Sequence, residues 1–226
     1  MAGDTDRPKT VVLIPTYNEA DNIYELAKKA RVFGDVLVLD SSPNRDTERE
    51  ACRAGAKVIT FPVCVEIAGK LSAGLTHAVK HDYEWAITVD AGGSHEVGEV
   101  LPDVHYDAVL GTRFTGGSVS NRKWSRYLIS YLAAAVFNAL WSTKFPDVTS
   151  GHRAFSVEFL KRFNISDYRS SHFDFHTETA SKLMAHNARI KEVPISYTYG
   201  TSTFRPKYLF WALVWLAYWR IKSFFL

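Results

Sequence analysis

The chain has 226 residues, 46% apolar and 23% charged, which is the balance of a folded globular protein with room for one large domain. A mean hydropathy of −0.12 argues against a multi-pass membrane protein, and a net charge of only +3 argues against nucleic acid as the main partner. The two cysteines, Cys52 and Cys64, fall in segments that read as a helix and a strand edge, so reduced thiols and a cytoplasmic location are expected rather than a disulfide scaffold.

From the N-terminus, residues 1–9 carry Asp4, Asp6, Arg7 and Pro8 without the apolar stretch of a signal peptide. Thr10–Ile14 (TVVLI) is a short apolar run ended by Pro15. Ile23, Leu26, Ala27 and Ala30 then recur on one face of a helix beginning near Asn18. The unit repeats: strand Val36–Leu39 and helix Thr47–Ala54, strand Val58–Phe61 and helix Lys70–Lys80, strand Trp85–Val89 and a loop at Asp90–His95, strand Val109–Gly111 and a further loop. Alternation at this spacing predicts right-handed crossovers and an α/β, doubly wound, mostly parallel sheet. Beyond it, Trp124–Trp141 reads as a long apolar helix with one charge, Arg126. Pro146–Arg153 reads as a polar loop, Phe175–Asn187 as a helix and Ile190–Val193 as a strand.

In such a sheet ligands bind beyond the carboxyl ends of the strands. Those positions hold Pro15-Thr16-Tyr17-Asn18-Glu19, Asp40-Ser41-Ser42, Asp90-Ala91-Gly92-Gly93-Ser94-His95 and Thr112-Arg113-Phe114. Any single Asp or Ser there also makes an ordinary helix N-cap. Carboxylates from three strand ends together with an arginine suit a nucleotide, because they accept from ribose hydroxyls and base N–H groups or hold a cation that bridges a diphosphate. The G-x-G-x-x-G turn of dinucleotide binding is missing after the first strand.

Val11–Ile23 (VVLIPTYNEADNI), Gly69-Lys70-Leu71, Asp90–His95, Gly111–Phe114, Trp124–Ser130 (WSRYLIS), Asp147–Arg153 (DVTSGHR) and Lys191–Ile195 (KEVPI) follow one another in a familiar order. On these motifs the sequence resembles the inverting family-2 glycosyltransferases, and most of all the dolichol-phosphate (polyprenyl-phosphate) mannose synthase branch. The resemblance implies a GT-A type α/β domain over residues 1–205. It implies that Pro15, Tyr17 and Glu19 line the nucleotide pocket with Asp40 beside them, that Lys70 lies near the nucleotide, and that Asp90 opens the D-x-D motif holding Mg2+ or Mn2+ and the donor diphosphate. Arg113, Arg126 and Ser130 are then the positions that receive the phosphate of a lipid-phosphate acceptor, a task suited to arginine's planar, permanently charged fork. The second acid of D-x-D is replaced by Gly92. The cation is therefore expected to be weakly held, its shell completed by diphosphate oxygens and water.

The implied reaction moves a hexose from a nucleoside diphosphate sugar, GDP-mannose or UDP-glucose, to a polyprenyl phosphate with inversion. Such an acceptor is anionic near neutral pH, its second phosphate pKa being about 6, and needs no strong base. A hydroxyl acceptor needs one, and Glu178 is the candidate; the alternative for it is an exposed salt bridge. Two rival readings stay open: the same transfer onto a protein or modified nucleic acid, and a nucleotide-sugar binder that Gly92 deprives of turnover. The run Tyr197–Arg205, with Gly200 and Ser202, is either a lid over the donor or a connector.

Residues 206–226 form an apolar, aromatic tail. Only twelve uncharged residues, Tyr208–Trp219, separate Lys207 from Arg220, about 18 Å of helix where a bilayer core needs roughly 20 residues. The spacing of Trp211, Trp215, Tyr218 and Trp219, with Lys207, Arg220 and Lys222 nearby, predicts a helix lying at a membrane surface. The chain is accordingly expected as a peripheral protein on a cytoplasmic membrane face. The alternative is a helix packed on its own domain or on a second copy in a homo-oligomer.

Overall fold

The computed structural model describes residues 7–116, 118–120, 124–198 and 207–225. The strands are β1 (Thr10–Thr16), β2 (Asp35–Asp40), β3 (Lys57–Thr60), β4 (Trp85–Thr88), β5 (Ala108–Thr112), β6 (Val119–Ser120), β7 (Arg153–Ser156), β8 (Ile190–Pro194) and β9 (Tyr197–Thr198). The helices are α1 (Ala20–Ala30), α2 (Asp46–Arg53), α3 (Ile67–Lys80), α4 (Trp124–Trp141), α5 (Val157–Leu160), α6 (Asp174–Ala185) and α7 (Lys207–Lys222).

Seven strands form one sheet in the order β3-β2-β1-β4-β7-β5-β8, while β6 and β9 make a small second sheet. All neighbours in the large sheet run parallel except β7, which is antiparallel to both β4 and β5. Strand β1 is buried on both faces, as an apolar strand between two helical layers must be. Its alternate side chains divide between the layers. Val11 and Leu13 join Leu71 and Leu75 of α3 and Phe175 and Leu183 of α6, whereas Val12 and Ile14 meet Ile23, Leu26, Ala27 and Ala30 of α1. The expected doubly wound architecture is thus present, and the helical face read from residues 23–30 is the buried one.

The orientation of β7 positions the site. Parallel β1, β2, β4 and β5 end at one edge of the sheet. Because β7 runs the other way, its first residue, Arg153, and the loop Asp147–His152 before it arrive at that same edge. The polar run Pro146–Arg153, expected as a loop throughout, therefore ends in a strand.

Residues 206–226 are expected as a membrane-interfacial helix; over the described residues 207–225 one face of that helix packs on the domain. Ala212, Leu216 and Trp219 of α7 are buried, and Leu216 shares a third core with Phe137 of α4, Val148 and Ala180 of α6. Arg220 Nε donates to the Leu140 carbonyl (2.8 Å). The opposite side of α7 is exposed at Phe210, Trp211 and Ile221. No helix among the described residues is long and apolar enough to cross a membrane. Cys52 lies on α2 and Cys64 in the loop after β3 rather than on a strand edge, and both are free thiols.

Candidate active site

At the ends of β1 and β2 the sequence builds a polar knot. Asp40 is fully buried, and its Oδ1 accepts from Thr16 Oγ1 (2.9 Å) and from Ser42 through Oγ (2.6 Å) and N (3.2 Å). Its Oδ2 is buried with no hydrogen-bond partner. Ser42 Oγ in turn accepts from the amide of Asn18 (2.8 Å), and Thr47 Oγ1 from that of Glu19 (3.1 Å), which fixes the turn after β1 where Asn18 takes a left-handed φ of 56°. Lys70 of α3 reaches back to donate to the Thr16 carbonyl (2.8 Å) and Ser41 Oγ (3.1 Å), and its burial pulls its pKa down. Tyr17 stands exposed over this knot, with Pro15 and Glu19 partly buried.

At the end of β4, Asp90 is surrounded by imidazoles. His95 Nε2 lies 3.2 Å from Asp90 Oδ2, and the His95 and His152 ring centroids are 5.3 Å apart. Burial opposes ionisation of Asp90, but the His95 hydrogen bond and the field of His95, His176 and His152 outweigh it and bring the carboxyl to about 2. Burial pulls the pKa of both His152 and His176 down to about 3, against the opposing pull of Asp90. Gly151 makes room for the group: a Cβ there would stand 2.8 Å from Asp90 Oδ1 and 3.2 Å from His176 Nε2. At Gly92 an added Cβ meets nothing within 4 Å.

At the end of β5, Arg113 is almost entirely buried and bound through its fork. Nε and Nη2 donate to Asp147 (2.6 and 2.9 Å), and Nη2 also donates to Thr149 Oγ1 (2.6 Å) and Ser130 Oγ (3.4 Å). Burial disfavours the charged Asp147, but Arg113 overrides it and the carboxyl falls to about 2. Beneath them Arg153 donates to the carbonyls of Ser150, His176 and Val148 (2.8, 2.7 and 2.7 Å), pinning loop and α6 together. Burial lowers its pKa to about 10, which leaves it charged.

Asp90, Arg113, Arg126 and Ser130 share one cleft of about 120 Å3 with His95, Thr149, Gly151, Asp174, His176 and Ala212 of α7. The structure thus brings four of the expected residues together, while Asp40, Lys70, Tyr17, Glu19 and Pro15 form the neighbouring knot. Glu178 belongs to neither. Fully buried on α6, its carboxylate accepts from the amides of Arg169 (3.1 Å to each oxygen) and Ser170 (2.8 Å) and from Trp219 Nε1 (2.9 Å). A carboxylate committed to three N–H groups and turned from the cleft is neither a general base nor an exposed ion pair, so that expectation is corrected: Glu178 ties α7 to α6. Asp174 has a similar tie, its Oδ2 accepting from Trp215 Nε1 (3.0 Å), and burial raises its pKa.

Asp147, Thr149, Gly151 and His176 are site residues that strand-end reasoning did not reach. The run DVTSGHR and the alternation Asp174, His176, Glu178 were the available signals. Residues 199–205 of the expected lid or connector lie outside the described residues.

A cation at Asp90 fits the donors present in part. Among the described residues no three carboxylate, imidazole or thiol side chains cluster as a complete metal cage. Asp90 offers one carboxylate to the cleft, which His95 and His176 also line. One carboxylate, with diphosphate oxygens and water for the rest, can hold a divalent ion weakly.

No protein-family model matches the sequence. The chain is 28% identical over 214 residues to a polyprenol monophosphomannose synthase from Mycolicibacterium smegmatis, a match covering 86% of this chain and 80% of the relative. It is 27% identical over 203 residues to an undecaprenyl-phosphate mannosyltransferase from Micrococcus luteus, covering 84% and 83%. Its fold is that of glucosyl-3-phosphoglycerate synthase from Mycobacterium tuberculosis solved with Mn2+, UDP-glucose and phosphoglyceric acid: the TM-score is 0.70 at 17% identity, over 94% of this chain and 80% of that one. A structure of the same enzyme with Mg2+ and UDP gives 0.67 at 16% identity, over 94% and 79%. The architecture is of the GT-A type.

Proposed function

We propose that this chain, homologous to polyprenyl-phosphate mannosyltransferases, moves a hexose from a nucleoside diphosphate sugar to a polyprenyl phosphate with inversion. The observation that carries the proposal is a single cleft in which the strand-end carboxylate Asp90 faces Arg113, Arg126 and Ser130, with an apolar helix leading away from it. Mannose from GDP-mannose is the first donor to test, glucose from UDP-glucose the second.

In this reading Pro15, Tyr17, Glu19, Asp40 and Lys70 take the nucleotide, and the unpartnered Asp40 Oδ2 is the acceptor left for a base or ribose donor. A divalent cation at Asp90, Mg2+ or Mn2+, supplies positive charge to the leaving diphosphate. Asp147 and Thr149 fix the plane of Arg113, and Arg126 and Ser130 complete a receptor for the acceptor phosphate. Because that phosphate is already anionic, alignment is the main work asked of the protein, and the loss of Glu178 as a base costs nothing. Leu128, Leu132 and Val136 are exposed along α4 and give the lipid chain an apolar track. With the exposed aromatics of α7 they form the side that meets a membrane, the chain acting as a peripheral protein on its cytoplasmic face.

The test is transfer of radiolabelled sugar from GDP-mannose or UDP-glucose to polyprenyl phosphate in vesicles by the full chain. The expected product is a label that partitions into organic solvent and is released by mild acid. Donor binding without transfer, or transfer only to a water-soluble acceptor, overturns the proposal.

A further inference from the structure

We infer that His176 reads the transferred hexose: its imidazole hydrogen-bonds a sugar hydroxyl between the donor diphosphate and the acceptor phosphate, and so helps to set which hexose is used. The inference rests on the glycosyltransferase reading and adds to it a specificity-determining residue.

Transfer with inversion brings the acceptor oxygen to the anomeric carbon from the side opposite the leaving group, with the reacting atoms almost in contact. The sugar ring must therefore lie between the two phosphate-binding regions. Asp90 marks the first, Arg113 and Arg126 mark the second, and all three line one cleft. Helix α6 sends His176 into that cleft, where its ring feels the charges of both Asp90 and Arg113.

The hydrogen-bonding capacity of the neighbouring side chains is already used. Arg113 Nη2 donates to Asp147, Thr149 and Ser130. Asp174, also on α6, accepts from the His172 amide at one oxygen (2.9 Å) and from Trp215 Nε1 at the other (3.0 Å). His95, the other imidazole of the cleft, is engaged with Asp90 at 3.2 Å. His176 differs from all of these. It is only 3% exposed, yet among the described residues its ring makes no hydrogen bond. Its backbone, by contrast, is held firmly: the carbonyl accepts from Arg153 Nη1 at 2.7 Å, which fixes the point from which the ring enters the cleft. A buried imidazole with unused nitrogens is a costly thing to keep, and a sugar hydroxyl, able both to donate and to accept, satisfies it. The two charged ends of the reactants have arginines and a carboxylate of their own, so the hydroxyls of the hexose are the partners left for His176.

Two variants of the full chain and a panel of donors test this. His176→Phe removes the nitrogens and keeps a ring, whereas His176→Gln keeps an amide that can still donate and accept. The donors are GDP-mannose, UDP-glucose and the singly deoxygenated analogues of whichever the chain prefers. With the unmutated protein, one deoxy donor should lose about tenfold in kcat/KM. His176→Phe should impose a loss of similar size on the intact donor and no further loss on that one analogue, while His176→Gln recovers most of the activity. Affinity for GDP and UDP in calorimetry, and the acceptor KM, should not move. Equal losses on every deoxy donor, a change confined to the acceptor KM, or no loss in His176→Phe each overturn the inference. So does an unmutated chain that treats all the deoxy donors alike, a result that does not depend on how either variant folds. If sugar nucleotides bind without transfer, the same panel is read by calorimetry, with the same outcomes. A chain that binds neither sugar nucleotide overturns the glycosyltransferase reading itself, whereas normal transfer by His176→Phe overturns only the role given to His176.

Discussion

The region around Arg113 and the region around Asp40 and Asp90 differ in how fully their polar groups are used. Around Arg113 they are spent: Asp147 takes the guanidinium edge-on through two bonds, Thr149 and Ser130 take the rest of Nη2, and Arg153 closes three carbonyls beneath. Around Asp40 and Asp90 they are not. Asp40 Oδ2, His95 Nδ1 and both ring nitrogens of His152 are buried without a partner. A buried polar group left unpaired costs roughly 1–3 kcal/mol, so the second region carries a cost that the first does not. Saturated groups hold a shape, and unsaturated ones leave hydrogen-bonding capacity open.

The sharpest way to break that contrast is a pair of isosteric changes. Asp90→Asn should reduce sugar transfer about 10^3-fold, measured with saturating donor, while changing unfolding free energy by less than about 1 kcal/mol, since Asn can still accept from His95. Asp147→Asn should behave in the opposite sense. It breaks a buried ion pair and leaves Arg113 uncompensated, at about 3–5 kcal/mol by urea unfolding. If both variants lose stability equally, the two regions do not divide the labour. Arg126→Ala comes next. Loss of one charge-assisted bond to the acceptor phosphate, about 1.5 kcal/mol, should raise the acceptor KM roughly tenfold and leave donor affinity unchanged in a binding titration.

The smallest effect belongs to Glu192 of β8, a frustrated neighbour of the saturated region. Burial, and then the charge of Asp147, raise its pKa from 4.5 to about 7, and its Oε1 is buried without a partner. The folded state therefore holds its proton more tightly than the unfolded chain does, and stability falls as pH rises from about 4.5 to 7. Glu192→Gln mimics the protonated form. Its Tm should match that of the unmodified protein at pH 4 and exceed it by a few degrees at pH 8, at roughly 2–4 °C per kcal/mol, in paired scanning-calorimetry runs.

Much of this was legible in the sequence, for local reasons. Helix α4 runs Trp124–Trp141 as its long, mostly apolar stretch indicates, and β1 to β5 follow from apolar runs closed by polar residues. Asp90 and Arg113 could be picked out because they directly follow strands. Strand β7 could not: it is four residues long, begins with a buried arginine and follows a polar run, so it carries no apolar signature of its own. Missing it hid the arrival of Asp147, Thr149 and Gly151 at the carboxyl edge. The role of Glu178 was equally beyond local reading, because its burial depends on Trp219, 41 residues away. The tail's composition suits a membrane surface, yet one side of it is occupied by α4 and α6, a choice made by tertiary packing rather than by periodicity.

The reversed strand also sets the order in which the chain can become whole. Strands β1 to β4 find each other in sequence, each new strand meeting one already made, but the outer edge of β4 must wait for residue 153 to be paired. Strand β5 has no earlier partner, since both its neighbours, β7 and β8, come later. During synthesis the first half of the sheet therefore stands with an open, apolar, fully buried-type edge while more than sixty residues, from Val89 to His152, are still emerging. Such an edge is a template for pairing with another copy. The loop that carries Gly151 is thus also the segment whose arrival covers the open edge of β4, so that closing the middle of the sheet and bringing Asp147 and Thr149 to the strand ends are one step of folding.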